Sequence, residues 1–258
     1  MSALLKCALL IVTSVAYYRA MNPPNPAPRR EALVNTGQIL DWFPRALGYA
    51  WQVRALATFT QTSADRLQAF FVLTSLLHAA MLVLLEYPPS DAHDHAHTGV
   101  EILSRTCANT PSLARLASLT PGFLAGTSLV LAGWLLRMWC YRTMGAMFTW
   151  EVTVKQDHRL VTGGPYSYIR HPSYLGTLML VAGTVLMHFG AGGYIQGCHV
   201  LRTPASWLVF VWVTCVVLGV VGMFGRMPVE DEALKQKFGE TWKAYAGRVP
   251  YRLVPYIF

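Results

Sequence analysis

Apolar residues in this chain gather into long runs separated by short polar connections, a spacing that fits membrane spans better than one soluble core. The first run covers about Ala3 to Tyr18 and stops at Arg19. Lys6 ahead of a short apolar stretch resembles a secretory signal. Hydrophobicity begins at the third residue, however, and no clean small-x-small site precedes Met21, so a retained first span is expected. Asn22 to Pro28 contains four prolines and is a stiff non-helical linker. Ile39 to Thr60 mixes Trp42, Phe43, Trp51 and Phe59 with Arg45 and Arg54, which predicts a helix lying at the membrane surface. Further spans are predicted at about Leu67–Leu85, Pro121–Tyr141, Ser173–Phe189 and Trp207–Phe224, with a charged tail from Arg226 to Phe258. The expected fold is all-α: a polytopic bundle of about five spans with a helical carboxyl-terminal tail. Residues 1–141 hold the amino-terminal spans and surface helix, and 142–258 the remainder.

Composition agrees. Of 258 residues 53% are hydrophobic and 13% charged, about half the charged share of a soluble domain. The net charge of +8 invites a nucleic-acid reading. The basic residues form no stripe with interleaved aromatics and cluster instead at the ends of apolar runs, so no nucleic-acid partner is expected. Five cysteines show no Cys-x-x-Cys spacing, so neither a disulfide framework nor a zinc site is expected, and they read as small apolar fillers.

Lys and Arg placement gives an orientation. The connections at 19–66 and 142–172 and the tail are rich in basic residues, whereas 88–120 carries only Arg105 and Arg115, and 190–206 only Arg202. Five spans with an external amino terminus satisfy this alternation and put the 142–172 connection and the tail on the cytosolic side, where they can meet. Two polar features in between are weighed down. His78 inside the second span reads as a core histidine bonded to a carbonyl of a neighbouring helix. Asp91-Ala-His-Asp-His-Ala-His97 has ligand types, but its alternate spacing on a loop lacks an ordered second shell, so a solvated loop is expected and no metal.

Two stretches carry the chemistry. Asp157-His-Arg-Leu-Val-Thr-Gly-Gly-Pro-Tyr-Ser-Tyr-Ile-Arg-His-Pro-Ser-Tyr174 leads polar and turn residues straight into a span. Pro172 suits the first turn of a helix, and the free N–H groups of a helix start favour an anionic group. An interfacial belt of Tyr, Arg and His has the same composition. In the second stretch, Arg226 to Pro250, Pro228 followed by Glu230, Asp231 and Glu232 reads as a helix opening whose acids offset the dipole. Leu234, Phe238, Trp242 and Tyr245 mark an apolar helical face, which an amphipathic helix without chemistry also explains.

Together these stretches resemble the isoprenylcysteine carboxyl methyltransferase family of membrane enzymes. The matching features are His158-x-Leu-Val161, Gly164-x-Tyr166 and Arg170-His-Pro-Ser-Tyr174. They are followed by Arg226-x-x-x-Glu230-Asp231-x-x-Leu234, Phe238-Gly239, Trp242, Tyr245 and Val249-Pro250. The resemblance covers roughly residues 148–255. It departs where Asp231 stands in place of a second glutamate and Trp242 in place of a frequent tyrosine. Phospholipid N-methyltransferases and some membrane reductases have a similar carboxyl-terminal pattern.

The resemblance implies an S-adenosylmethionine pocket lined by His158, Leu160, Val161, Tyr166, His171, Pro172, Ser173 and Tyr174. Arg226 and Glu230 are the implied catalytic pair, with Arg170 and Arg226 holding substrate. The implied acceptor is the carboxylate of a prenylated cysteine, on a protein or a lipid-like small substrate, at the cytosolic face of the endoplasmic reticulum membrane. A carboxylate nucleophile needs no general base, only alignment and a cation to hold it, which the planar fork of Arg226 supplies. Aromatic faces of Tyr166 or Tyr174 are suited to shelter a sulfonium. Amine methylation of a phospholipid, an NADPH-dependent membrane reductase and a non-catalytic lipid-binding protein are the alternatives.

Overall fold

The computed structural model describes residues 2–22, 25, 68–84, 86, 113–148 and 159–255. Among them every regular element is helical. In chain order these are α1 (Ser2–Met21), α2 (Gln68–Leu84), the short α3 (Leu113–Ala117) and α4 (Pro121–Met144), with a 3₁₀ turn at Gly145–Met147. A second 3₁₀ turn (Gly164–Ser167) precedes α5 (Pro172–Phe189); α6 (Tyr194–Gly197), a third 3₁₀ turn (Val200–Arg202), α7 (Ser206–Phe238) and α8 (Glu240–Arg248) complete the chain. The predicted surface helix at 39–60, the His93-x-His95-x-His97 loop and His158 lie outside the described residues.

Among the described residues four segments are long and apolar enough to cross a membrane: Ser2–Met21, Pro121–Met147, Pro172–Gly197 and Ser206–Phe238. Gln68–Leu84 is a shorter apolar helix. This is an all-α polytopic membrane bundle. Outward-facing Trp207, Phe210, Leu218 and Val221 are each more than 60% exposed, as expected where lipid tails replace water as solvent.

Two expectations need correction. The fifth span and the charged tail are not separate helices, since α7 runs unbroken from Ser206 to Phe238 with Pro228 inside it. Proline removes one helix bond, but the bonds on either side carry the helix through, a tolerance common in membrane helices. Glu230, Asp231 and Glu232 therefore sit deep within a helix and offset no amino-terminal dipole. Nor are all the cysteines fillers. Cys7, Cys140 and Cys215 are free, but Cys198 is disulfide-bonded. Local spacing carries no mark of this bond; Cys107 lies outside the described residues.

Residue contacts divide the chain into two compact units, and the division cuts across helices: α4 gives 121–134 to the first and 135–144 to the second. The described part of the first unit comprises 2–19, 68–84, 113–134 and 179–216. There α4 and α5 approach so closely that a Cβ on Gly183 would lie 2.6 Å from the Gly126 carbonyl, a contact only small residues permit. Lys6 is fully buried, donates to the Ser118 and Gly192 carbonyls at 2.8 Å each, and lies 4.4 Å from the centre of the Phe123 ring. His78 places Nε2 3.3 Å from the Leu116 carbonyl of α3, as a core histidine would.

The second unit, described over 20–22, 25, 135–148, 159–178 and 217–255, has two apolar clusters. Cys140, Tyr141, Phe148 and Tyr166 form one, with Val161 against it; Trp242, Tyr245 and Val249 form the other, with Leu160, Leu234 and Phe238. The candidate site lies within this unit.

Candidate active site

The approach to α5 is shaped by Gly164, which has φ +59° and whose missing Cβ would stand 2.8 Å from Thr143 Oγ1. Any other residue meets both a left-handed backbone and a clash. The turn that follows buries Tyr166. Its hydroxyl donates to Met144 Sδ at 2.8 Å, and its carbonyl accepts from the Tyr245 hydroxyl at 2.8 Å. Burial pushes both phenols up, Tyr245 to about 12.

From there the backbone is clamped. Arg170 N–H donates to Tyr251 O at 3.0 Å and His171 N–H to Arg252 O at 2.8 Å, pairing the residues before α5 with those after α8. Pro172 opens α5, and the N–H groups of Tyr174 and Leu175 return to the His171 carbonyl. The Tyr174 donor, expected to be open at this helix start, is thus used internally.

The side chains converge on two successive carboxylates of α7. Asp231 accepts from Arg170 Nη1 at 2.9 Å, Arg252 Nε at 3.2 Å and His171 Nε2 at 3.2 Å. Glu230 accepts from the Tyr174 hydroxyl, with His171 Nδ1 at 3.4 Å and Arg226 Nη2 at 3.6 Å. Both ring nitrogens of His171 face a carboxylate, which only an imidazolium can satisfy with two N–H donors. Burial opposes that charge, but the hydrogen bonds and charges of Asp231 and Glu230 outweigh it and raise the imidazole above its ordinary value. The Tyr174 ring stacks on His171 at 5.4 Å, and the Arg170 guanidinium lies 5.7 Å from the centre of the Trp242 ring.

Of the residues predicted from sequence, Arg170, His171, Tyr174, Arg226 and Glu230 meet in this cluster, and Pro172 and Ser173 form the adjoining first turn. Leu160 and Val161, neighbours in extended backbone, point to different apolar clusters. Tyr166 packs with Val161, its hydroxyl turned to Met144. Ser173 accepts from Arg137 through both its carbonyl and its hydroxyl, each at 3.0 Å. Sequence reasoning misses Asp231, Arg252 and Arg137. For Arg137 the signal is present: an arginine within the apolar run Leu135-Leu136-Arg137-Met138-Trp139 is a functional marker by default. For Asp231 it is not, since three acids in a row do not disclose which one turns inward.

Known proteins give this geometry a context. Residues 126–215 match the model of the isoprenylcysteine carboxyl methyltransferase family. Over this segment, about a third of its length, the chain is similar to that family. Relatives include protein-S-isoprenylcysteine O-methyltransferase B of Arabidopsis thaliana, 33% identical over 127 residues, 48% of this chain and 55% of the relative. Protein-S-isoprenylcysteine O-methyltransferase of Xenopus laevis is 34% identical over 134 residues, 51% of this chain and 40% of the relative. The delta(14)-sterol reductase TM7SF2 of Mus musculus is 26% identical over 100 residues, 39% of this chain and 20% of the relative. The chain thus spans about half the length of the methyltransferase relatives it matches. The matched segment holds the 170–174 motif but ends before Arg226, Glu230 and Asp231, which the fold brings to it.

Proposed function

We propose that this chain is an integral membrane methyltransferase that moves a methyl group from S-adenosylmethionine to the carboxyl-terminal carboxylate of a prenylated cysteine. The observation that carries the reading is the meeting of His171 and Tyr174 with Glu230 and Asp231 in one charged cluster. The donor set fits the methyl donor, which has a carboxylate, an ammonium and a sulfonium. Arg170, Arg226 and Arg252 are suited to a carboxylate, Glu230 to an ammonium, and the stacked His171 and Tyr174 rings border the same place. When bound, S-adenosylmethionine supplies an activated methyl on a good leaving group.

The chain's residues then have mainly to align and hold. Arg226, 30% exposed against 11% for Arg170, is the guanidinium more open to an acceptor carboxylate. Its Glu230 partner at 3.6 Å tempers the grip, so the acceptor keeps its nucleophilicity. Arg170, bound to Asp231 and to the Pro250 carbonyl at 3.1 Å, shapes the site from behind. His158, Leu160, Val161, Tyr166, Pro172 and Ser173 complete the proposed cofactor side, and residues 142–258 the proposed transferase core.

The proposed location is the endoplasmic reticulum membrane with the site toward the cytosol. Its support is the Lys and Arg alternation and the disulfide at Cys198, in the basic-poor connection after α5, since disulfides persist on oxidising sides of membranes. Purified protein incubated with labelled S-adenosylmethionine and a farnesylcysteine analogue should yield a base-labile methyl ester. Cofactor binding with no ester sinks the acceptor, and methylated phospholipid headgroups in the same assay would select the amine reaction.

A further inference from the structure

Arg137 lies in α4, 1% exposed, within an otherwise apolar run. Its guanidinium is spread over three pieces of the second unit. Nε donates to the Ala20 carbonyl at 2.7 Å; Nη1 donates to Ser173 O and Oγ, each at 3.0 Å, and to Thr177 Oγ1; Nη2 donates to the Tyr141 hydroxyl at 2.7 Å. Tyr141 in turn donates to the same Ala20 carbonyl. A guanidinium can do this because its donors diverge in a fixed plane, whereas an ammonium is a single point.

The contacts fix more than distance. Ser173 and Thr177 are one turn apart on α5, so holding both sets the rotation of the helix about its axis. Tyr174 follows Ser173, and this rotation aims its hydroxyl at Glu230 and its ring at His171. Ala20 stands in the last turn of α1, where carbonyls lack helical partners and a cation is favoured. A second tie follows independently: Asn25 Nδ2 donates to the Gly145 carbonyl at 2.7 Å and the Phe148 carbonyl at 2.9 Å. Ala20 and Asn25, both outside the family-matched segment, are thus fastened to the end of α4.

We propose that Arg137 is a positioning residue of the transferase site, setting the first turn of α5 from the end of α1, so that Ala20 and Asn25 belong to the catalytic scaffold. It acts through Ser173 and Tyr174. The inference rests on the methyltransferase reading, and it places the effect on the donor side of the site.

The test uses the full chain in nanodiscs, with Arg137→Lys, and Tyr141→Phe and Thr177→Val as milder variants that retain the guanidinium. Labelled S-adenosylmethionine binding, the KM of a farnesylcysteine analogue, kcat and the thermal midpoint are read together. Arg137→Lys should weaken donor binding at least tenfold while the acceptor KM stays within twofold, and the milder variants should weaken it two- to fivefold. A residue that merely holds the fold would lower the folded fraction and leave the donor Kd of the remainder unchanged, which overturns the inference. Should Arg137→Lys not fold, unchanged donor Kd in both milder variants overturns it equally. Absence of donor binding by the parent protein removes the underlying reading as well, and is thereby distinguished from parent binding that the variants leave intact.

Discussion

Asp231, 5% exposed, accepts from Arg170, Arg252 and His171 at once, so neutralising it takes a shared counter-charge from three donors. Breaking a buried ion pair from one side destabilises by about 3–5 kcal/mol. Asp231→Asn should therefore lower the thermal midpoint of the detergent-solubilised protein by several degrees, and an unchanged midpoint would contradict the hub described here. His171 adds a pH dependence. Its folded value is raised by Asp231 and Glu230 against burial, so the folded state holds the proton more tightly than the unfolded chain. The stabilisation is complete below the unfolded value of about 6.5 and is lost as pH rises through the raised folded value. Midpoints measured from acid to alkaline buffers should fall on the alkaline side, and Asp231→Asn should flatten that fall. At this scale the sequence disclosed the Arg170-His-Pro-Ser-Tyr174 motif and Glu230. It concealed Asp231 and Arg252, whose roles depend on which helical phase and which backbone pairing bring them to His171.

Among the elements, α4 and α5 meet through glycine. A Cβ on Gly183 would lie 2.6 Å from the Gly126 carbonyl and 2.7 Å from Val130 Cγ2, so even Ala must push two backbones apart. Overpacking of this kind destabilises by roughly 1–3 kcal/mol. Gly183→Ala should lower the midpoint accordingly, read by the same thermal assay, whereas Gly219→Ala, with nothing within 4 Å of its added carbon, should leave it unchanged. The spans themselves were legible because apolar runs of this length have few other uses. Their ends were legible where charge or proline marks them, as at Pro121 and Pro172. The end of α7 was not, because Pro228 looks like a start signal to local reasoning and is in fact crossed by the helix.

For the whole molecule, the class of fold followed from where polarity is missing, but the pairing of distant segments did not. Nothing local in the sequence ties Ala20 to Arg137, or Arg170 to Tyr251. Nor does spacing reveal that Cys198 is bonded. Its connection gives a measurement on the proposed orientation. In sealed microsomes, a membrane-impermeant maleimide should fail to label Leu201→Cys, in the same connection as Cys198 and 52% exposed, unless the vesicles are opened. Labelling of sealed vesicles would reverse the orientation and put the candidate site on the lumenal side.

The 33 residues of α7, at about 1.5 Å each, make a rod of roughly 50 Å, against a hydrocarbon layer of about 30 Å. An untilted helix with its apolar start at one edge of that layer would carry its last third past the lipid tails, and Glu230 and Asp231 lie on that third. Their elevation over the bilayer is therefore counted out in residues from the greasy anchor below. In that placement a thicker membrane would draw the acid pair down among the headgroups and a thinner one would lift it away, so lipid composition would set how far the proposed lipid-anchored acceptor must stretch to be reached.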